Sequence, residues 1–413
     1  MPTAPPDKTV CIIGLGYIGL PTAAVLASRG YMIHGVEVNP EAVETINQGR
    51  AHIVEPELDM LVSAGVQTGR LKAHTEPAEA DVFILCVPTP LGEDRAPGLG
   101  YVEQATRSIC PVLREGNLVI LESTSPPGTT ERIAEIVKDE TGLTPPKVLF
   151  AHAPERVLPG KILREVVEND RILGGIDDAS TDAAAAFYET FVSGKLLRTH
   201  ARTAETAKLV ENAYRDVNIA FANELSVMAD KLDLDVWELI HLANHHPRVN
   251  ILQPGPGVGG HCIAVDPWFL VHCAPDQTKL IRTAREVNLA KPHWVVERVK
   301  KRAERLKSPR IACLGLAYKP DIDDLRESPA VEIVRMLRDQ NVAAGGELKI
   351  VEPNLKRHDE FDLVPLEQAV AEADIVLVLV AHQPFKRLAP AQLAEKIIID
   401  TCGAFRGRGR GEA

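Results

Sequence analysis

The chain has no Cys-x-x-Cys pair, no apolar run long enough to span a bilayer and no excess of positive charge. Each absence removes a class of protein. Seven cysteines, an odd number without paired spacing, argue against a disulfide framework and against structural zinc, so no metal is expected. Short apolar runs exclude a transmembrane helix and a membrane partner. A formal net charge of −11 gives a nucleic-acid partner no electrostatic support. No signal peptide precedes the first strand-like run, which leads to the expectation of a cytoplasmic protein with reduced thiols. Met1 to Asp7 and the locally basic Arg406-Gly407-Arg408-Gly409-Arg410 read as frayed ends.

With 413 residues, 45% of them hydrophobic and 25% charged, the chain suits a soluble globular protein of two or three domains. Val10-Cys11-Ile12-Ile13 is a short apolar strand, and Gly14-Leu15-Gly16-Tyr17-Ile18-Gly19 follows it into a helical stretch, Leu20 to Arg29. A second strand, Tyr31 to Val38, carries Glu37. Strand, glycine turn, helix and acid together form the dinucleotide fingerprint in its required context. Gly14 makes the tight turn, Gly16 lets the backbone approach a pyrophosphate, and Gly19 allows close helix packing. The helix N-terminus offers N–H groups to the phosphates. A carboxylate at Glu37 accepts ribose hydroxyls and repels a 2′-phosphate, which favours NAD over NADP.

Further buried-type runs, Asp81 to Val87, Leu118 to Leu121 and Val148 to Ala151, point to a parallel sheet. Each ends in polar residues, which places Thr89, Thr124 and Glu155 at the carboxyl edge where open α/β sheets bind ligands. Thr203 to about Lys231 contains neither Gly nor Pro and predicts a helix on the order of 40 Å long. Lys208, Asn212 and Arg215 share one of its faces. Val236 to Ala243 predicts another helix, followed by His245-His246-Pro247-Arg248, where His246 and Arg248 suit a phosphate or sugar hydroxyls. The C-terminal third repeats the α/β pattern: strands at Arg310 to Leu316, Leu348 to Val351, Ile375 to Val380 and Ile397 to Asp400, with a helix at Ser328 to Gln340. Its first turn, Gly315-Leu316-Ala317-Tyr318-Lys319-Pro320, lacks the third glycine and implies no second dinucleotide. Lys319 and Arg326 flank it.

Gly255-Pro256-Gly257-Val258-Gly259-Gly260-His261-Cys262 sets one thiol at the end of a glycine-rich loop, four residues before Asp266. Glycines let the backbone approach a ligand, and a cysteine so placed reads as a reactive thiolate. Cys11, Cys86 and Cys313, inside apolar runs, read as core. A thiolate can trap an aldehyde as a thiohemiacetal, which a second hydride transfer turns into a thioester that water hydrolyses.

These pieces together resemble the UDP-glucose/GDP-mannose dehydrogenase family over Val10 to Cys402. The resemblance rests on the fingerprint at Gly14, Pro154-Glu155-Arg156-Val157-Leu158-Pro159-Gly160, the Lys208/Asn212 helix, the cysteine loop and Gly315 to Ser328. It implies two Rossmann-like doubly wound domains joined by a long central helix: an NAD domain at 1–200, a helical dimerisation domain at 201–300 and a UDP-sugar domain at 301–413. It further implies a homodimer or higher oligomer and a four-electron oxidation of a UDP-sugar at C6, with two NAD reduced in turn. The Pro-Glu-Arg-Val-Leu-Pro-Gly segment and Ala264 to Phe269 resemble the subfamily acting on UDP-N-acetyl-D-mannosamine. Pro159 and His261 depart from the glucose-type pattern.

On this resemblance Cys262 is the nucleophile, Lys208 stabilises the oxyanion, Asp266 positions water and the lysine, and Glu155 activates the hydrolytic water that Thr124 and Asn212 order. Arg156, Val157, Lys208, Asn212, Arg215, His246, Arg248, Gly259, Tyr318, Lys319 and Arg326 contact substrate. Tyr17, Ile18, Thr89 and Thr124 complete the NAD site. A sister enzyme for UDP-N-acetylglucosamine or UDP-glucose, a two-electron hydroxyacid dehydrogenase and a non-catalytic nucleotide-sugar sensor are the competing readings.

Overall fold

A computed structural model describes residues 8–92, 94–158 and 160–406. Pro159, the first seven residues and Gly407 onward lie outside the described residues. By contacts the chain forms two units, one holding residues up to Glu211 together with Trp268–Ala274, the other Asn212–Pro267 and Pro275 onward.

The first unit is built on an eight-stranded sheet. Its strands are β1 (Thr9–Ile13), β2 (Met32–Val36), β3 (Leu71–His74), β4 (Val82–Leu85), β5 (Leu118–Leu121), β6 (Leu149–His152), β7 (Arg171–Gly175) and β8 (Leu196–His200), in the order β3-β2-β1-β4-β5-β6-β7-β8. The first six are mutually parallel. Their unbroken Val/Ile/Leu runs suit strands covered on both faces. Alternate residues serve opposite cores: Val10 and Ile12 pack with Leu20, Leu26 and Val62, whereas Cys11 and Ile13 pack with Val102, Ile109 and Ile133. β7 joins β6 antiparallel and pairs with β8 in parallel. Because β2 and β4 lie on either side of β1, the chain reverses direction there, and the carboxyl ends of β1 and β4 border a topological switch point.

The second unit carries a smaller parallel sheet of β9 (Arg310–Leu314), β10 (Glu347–Val351), β11 (Ile375–Val378) and β12 (Ile397–Asp400), in the order β10-β9-β11-β12. It too is covered on both faces: Ile311 and Cys313 enter one core, Ala312 and Leu314 the other. The doubly wound class expected for both halves is therefore observed. β9 stops two residues short of the expected Leu316, because Gly315 turns the chain with a φ of +98°. β11 likewise ends at Val378 rather than Val380.

The long helix runs from Ala201 to Lys231, two residues earlier than expected and about 46 Å in length. The chain passes from the first unit to the second within it. A helix the sequence hides spans Lys279–Ala303, with Pro292 inside it. Arg406, expected to open a frayed end, instead lies 3.8 Å above the Trp237 ring and donates to Gln253. No helix among the described residues is long and apolar enough to cross a membrane.

Candidate functional site

The glycine turn after β1 has the geometry its sequence foretells. Gly14 adopts a φ of +93°, and its N–H donates to Val36 O at 2.8 Å. A Cβ on Gly19 would sit 1.8 Å from Gly14 O, so only glycine lets the helix Gly19–Ser28 start against the turn. Gly16 differs. A Cβ there would meet nothing within 4 Å. The fold does not require glycine at Gly16, whereas a pyrophosphate approaching the backbone does. The helix has no side-chain cap at Ile18, although Leu20 N already donates to Gly16 O at 3.1 Å and Pro21 has no N–H to offer. Tyr17 is exposed and Ile18 half-buried. Glu37 is half-buried just past β2 and is held by two backbone donors, Leu15 N at 3.2 Å and Asn39 N at 3.1 Å. A carboxylate retains lone pairs beyond these two bonds, enough for ribose hydroxyls. The residues present fit NAD.

Two other carboxyl-edge residues meet. Thr89 Oγ1 donates to the Thr124 carbonyl at 2.6 Å, linking the ends of β4 and β5. Glu155 is buried after β6 and accepts from Arg156 N at 2.7 Å and from the Arg171 guanidinium. Arg171, 2% exposed in β7, also lies 4.0 Å from Glu122. Glu122 in turn accepts from Tyr188 at 2.5 Å and from the Cys86 thiol at 3.2 Å. Burial pushes the Glu122 carboxyl above the usual range, with Arg171 opposing and Glu155 adding to the shift. Burial and then Glu122 raise the Cys86 thiol well up. Cys86 is therefore not plain core filling: it ends beside the glycine turn, as a donor to a buried acid. Arg171, Glu122 and Tyr188 lie outside every sequence motif. The one local signal is a charged residue opening the otherwise apolar Arg171-Ile172-Leu173-Gly174-Gly175.

Arg156 pairs with Glu211 at 2.9 Å and donates to the Asp170 carbonyl. Val157 is half-buried against the core. Lys208 is half-buried. It contributes to lowering the His152 pKa to about 3, an effect that comes first from burial. His152 therefore stays a neutral imidazole. It ends β6 fully buried, and neither ring nitrogen has a hydrogen-bond partner of good geometry.

In the second unit the cysteine loop is packed through its glycines. A Cβ on Gly257 would press on Pro329 at 2.8 Å, and one on Gly259 would meet the Glu327 carbonyl at 2.5 Å and Tyr318 at 2.7 Å. Gly260 takes a φ of +83°, donates to Arg326 O at 3.0 Å and has its α-carbon against the Tyr318 ring. The half-buried Cys262 thus follows a backbone seated on the Tyr318-to-Pro329 segment. Burial raises the Tyr318 hydroxyl pKa, with Asp324 and, less, the Cys262 thiol adding to it. Beyond the cysteine, Asp266 N donates to Cys262 O at 2.8 Å. The Asp266 carboxylate, 3% exposed, accepts from Asn212 Nδ2 at 2.6 Å. Asn212 and Asp266, far apart in sequence, are thereby brought together.

The remaining substrate candidates are on the surface. Arg215, His246, Arg248 and Lys319 are exposed. His246 Nδ1 accepts from Arg248 N at 3.3 Å, which fixes that short segment. Arg326 pairs with Asp324 at 2.6 Å.

Three segments match one family's domains in order: residues 8–192 the NAD binding domain, 202–290 the central domain and 312–407 the UDP binding domain of the UDP-glucose/GDP-mannose dehydrogenase family. An NDP-N-acetyl-D-galactosaminuronic acid dehydrogenase from Ralstonia solanacearum is 55% identical, the match covering 97% of each chain. A UDP-N-acetyl-D-mannosamine dehydrogenase from Campylobacter jejuni is also 55% identical, over 91% of this chain and 96% of that one. The structure of UDP-D-ManNAc dehydrogenase from Pyrococcus horikoshii superposes with a TM-score of 0.87 at 39% identity, covering 98% of this chain and 97% of that one. With all three domains matched in sequence and the fold matched along nearly the whole chain, this protein belongs to the UDP-glucose/GDP-mannose dehydrogenase family.

Proposed function

We propose that the protein oxidises UDP-N-acetyl-D-mannosamine at C6 to the uronate, passing two hydrides in succession to NAD. The observation that carries this reading is the loop ending in Cys262, seated through three glycines and followed by the Asp266–Asn212 pair. A two-electron dehydrogenase has no use for a thiol there. NAD supplies the hydride acceptor in both oxidations. The rest falls to the chain. The first oxidation removes a hydride and a proton from the C6 alcohol and leaves an aldehyde. The Cys262 thiolate adds to the aldehyde carbon, forming a C–S bond and an oxyanion that Lys208 stabilises. As the second hydride leaves that carbon, the C=O bond re-forms and the sugar becomes a thioester. Water ordered by Thr124 and Asn212 attacks, Glu155 takes its proton, the C–S bond breaks and the thiolate is released with the carboxylate product. Asp266 orients Asn212 and the water.

Arg156, Val157, Arg215, His246, Arg248, Gly259, Tyr318, Lys319 and Arg326 are assigned to the UDP-sugar. Domain limits of 1–200, 201–300 and 301–413 accompany this assignment, as does a cytoplasmic setting. A homodimer is part of the same reading. Along the long helix, Tyr214, Phe221 and Met228 recur every seven residues and are 69%, 51% and 42% exposed. Leu232 extends the row at 56%. Such a seam suits a second copy of the same helix.

The test is NADH release from a panel of UDP-sugars. UDP-N-acetyl-D-mannosamine is expected to give two NADH per sugar and the highest kcat/KM. The Ralstonia relative supports one alternative, the galacto-configured N-acetyl sugar, and a higher kcat/KM on UDP-N-acetyl-D-galactosamine would select it. One NADH per sugar throughout would refute the four-electron reaction.

A further inference from the structure

The loop carrying Cys262 is tied to the interior seven residues upstream of the thiol. Gly255 N–H donates to Asn223 Oδ1 at 2.9 Å. Asn223 Nδ2 donates to Asn288 Oδ1 at 2.9 Å. Asn288 Nδ2 donates to Asp216 Oδ1 at 2.8 Å and to the Asp216 carbonyl at 3.1 Å. Arg285 Nη1 closes the series on Asp216 Oδ1 at 2.6 Å. Asp216 and Asn223 are fully buried, Asn288 is 1% exposed and Arg285 2%.

This series has a direction. The Gly255 N–H can only donate, so Asn223 must present its oxygen to the loop. Its amino group must then face an acceptor, which fixes the Asn288 oxygen. The Asn288 amino group must in turn face an acceptor, and the Asp216 carboxylate supplies one, with Arg285 opposite the charge. A carboxylate at Asn223 would set oxygen against oxygen at Asn288. Turning the Asn288 amide to relieve that clash would move it to Asp216. Buried polar groups that lose partners are costly, so the interior admits one arrangement.

We infer that Asn223 and Asn288 are positioning residues: the ion pair of Asp216 and Arg285 orients two amides in series, and these fix the start of the glycine loop so that Cys262 is held at a set position. None of the four side chains touches the reacting atoms. The far side of the loop is fixed separately, by Pro329 and Tyr318 against Gly257, Gly259 and Gly260. Only the Gly255 end depends on the amides. This inference rests on Cys262 being the nucleophile, as proposed above.

Asn223→Asp is the sharpest probe, and Asn223→Ser brings no charge into the interior. Each is compared with wild type and with Cys262→Ala for kcat, KM for NAD, NADH per sugar in the presence of an aldehyde trap, and the rate at which iodoacetamide alkylates Cys262. Expected for both variants is a kcat at least tenfold lower with KM for NAD within twofold. NADH per sugar should fall from two toward one as trapped aldehyde appears, and the Cys262 alkylation rate should change at least threefold. A merely structural role would lower the melting temperature and leave these readouts at their wild-type values below it. Asn223 variants with wild-type kcat, stoichiometry and alkylation rate, beside a Cys262→Ala protein that no longer yields two NADH, would overturn the inference alone. A Cys262→Ala protein that still yields two NADH would overturn the reaction on which it rests.

Discussion

The two glycine turns of this chain share a backbone and differ in what becomes of their acid. After β1, Gly14 has a φ of +93° and bonds Val36 O at 2.8 Å; after β9, Gly315 has a φ of +98° and bonds Val351 O at 2.8 Å. Glu37 follows β2 and accepts from Leu15 N; Glu352 follows β10 and accepts from Leu316 N at 2.7 Å and Ala317 N at 3.0 Å. There the likeness ends. Glu37 is half-buried with acceptor capacity to spare, whereas Glu352 is 4% exposed and further engaged by His382 Nε2 at 3.1 Å and by Asn354. The first turn runs straight into its helix at Gly19; the second wanders from Tyr318 to Ser328 before its helix starts at Pro329. Where the first turn has Gly16, the second has Ala317, buried at 1%. One turn leaves its backbone at Gly16 uncovered and its acid with acceptor capacity to spare. The other has spent its acid on holding itself together, and its excursion instead supplies Tyr318 and Pro329 as the seat for the cysteine loop.

The largest way to break the comparison is to truncate the second acid. Glu352→Ala leaves two backbone N–H groups without a buried acceptor and is expected to destabilise the protein by about 3 kcal/mol, read by denaturant unfolding. Binding of NAD to whatever remains folded should be unchanged. A loss of NAD affinity with stability intact would reverse the roles given to the two acids.

Next is Gly16→Ala, which makes the first turn resemble the second. Because the added Cβ meets no protein atom, stability should move by about 0.5 kcal/mol or less, while the Kd for NAD, by calorimetry, rises about tenfold or more. An unchanged Kd would mean that the pyrophosphate does not approach Gly16.

Glu37→Gln retains an oxygen for Leu15 N and removes the charge. Discrimination against NADP, measured as the ratio of kcat/KM values, should narrow by roughly tenfold, with a stability loss of about 1 kcal/mol because the amide cannot accept from both Leu15 N and Asn39 N. The smallest effect concerns acid. Burial would raise the Glu352 pKa, but His382 and the backbone donors outweigh it and hold the carboxyl below the usual glutamate range. Glu352 therefore contributes stability above the unfolded carboxylate range, and that contribution disappears as pH falls through its lowered folded value. Melting temperature against pH should drop less steeply on the acid side for Glu352→Gln than for wild type.

How far the sequence reveals this follows from the range of each constraint. Gly14, Gly19 and Glu37 are legible because a tight turn and its acid act within one βαβ unit. The strands are legible as apolar runs, although the ladder ends before the apolar residues do, as at Leu314. The helix Lys279–Ala303 is hidden by Pro292, which ordinarily breaks a helix. Arg171 with Glu122 and Glu155, and Arg285 with Asp216, are hidden for another reason. Each pair joins different elements, 16 residues apart for Glu155 and Arg171 and 69 for Asp216 and Arg285, and no local spacing announces it. The loop at Cys262 announced its chemistry by composition, whereas the amides that hold its start did not.

The central claim is that the oxidised sugar becomes bonded to Cys262 on every turnover. Peptide mass spectrometry of enzyme acid-quenched during steady-state turnover of UDP-N-acetyl-D-mannosamine tests it most directly. The account predicts an acyl adduct on the Cys262 peptide that is absent when NAD is omitted. Steady production of two NADH per sugar with that peptide unmodified at every quench time would contradict it.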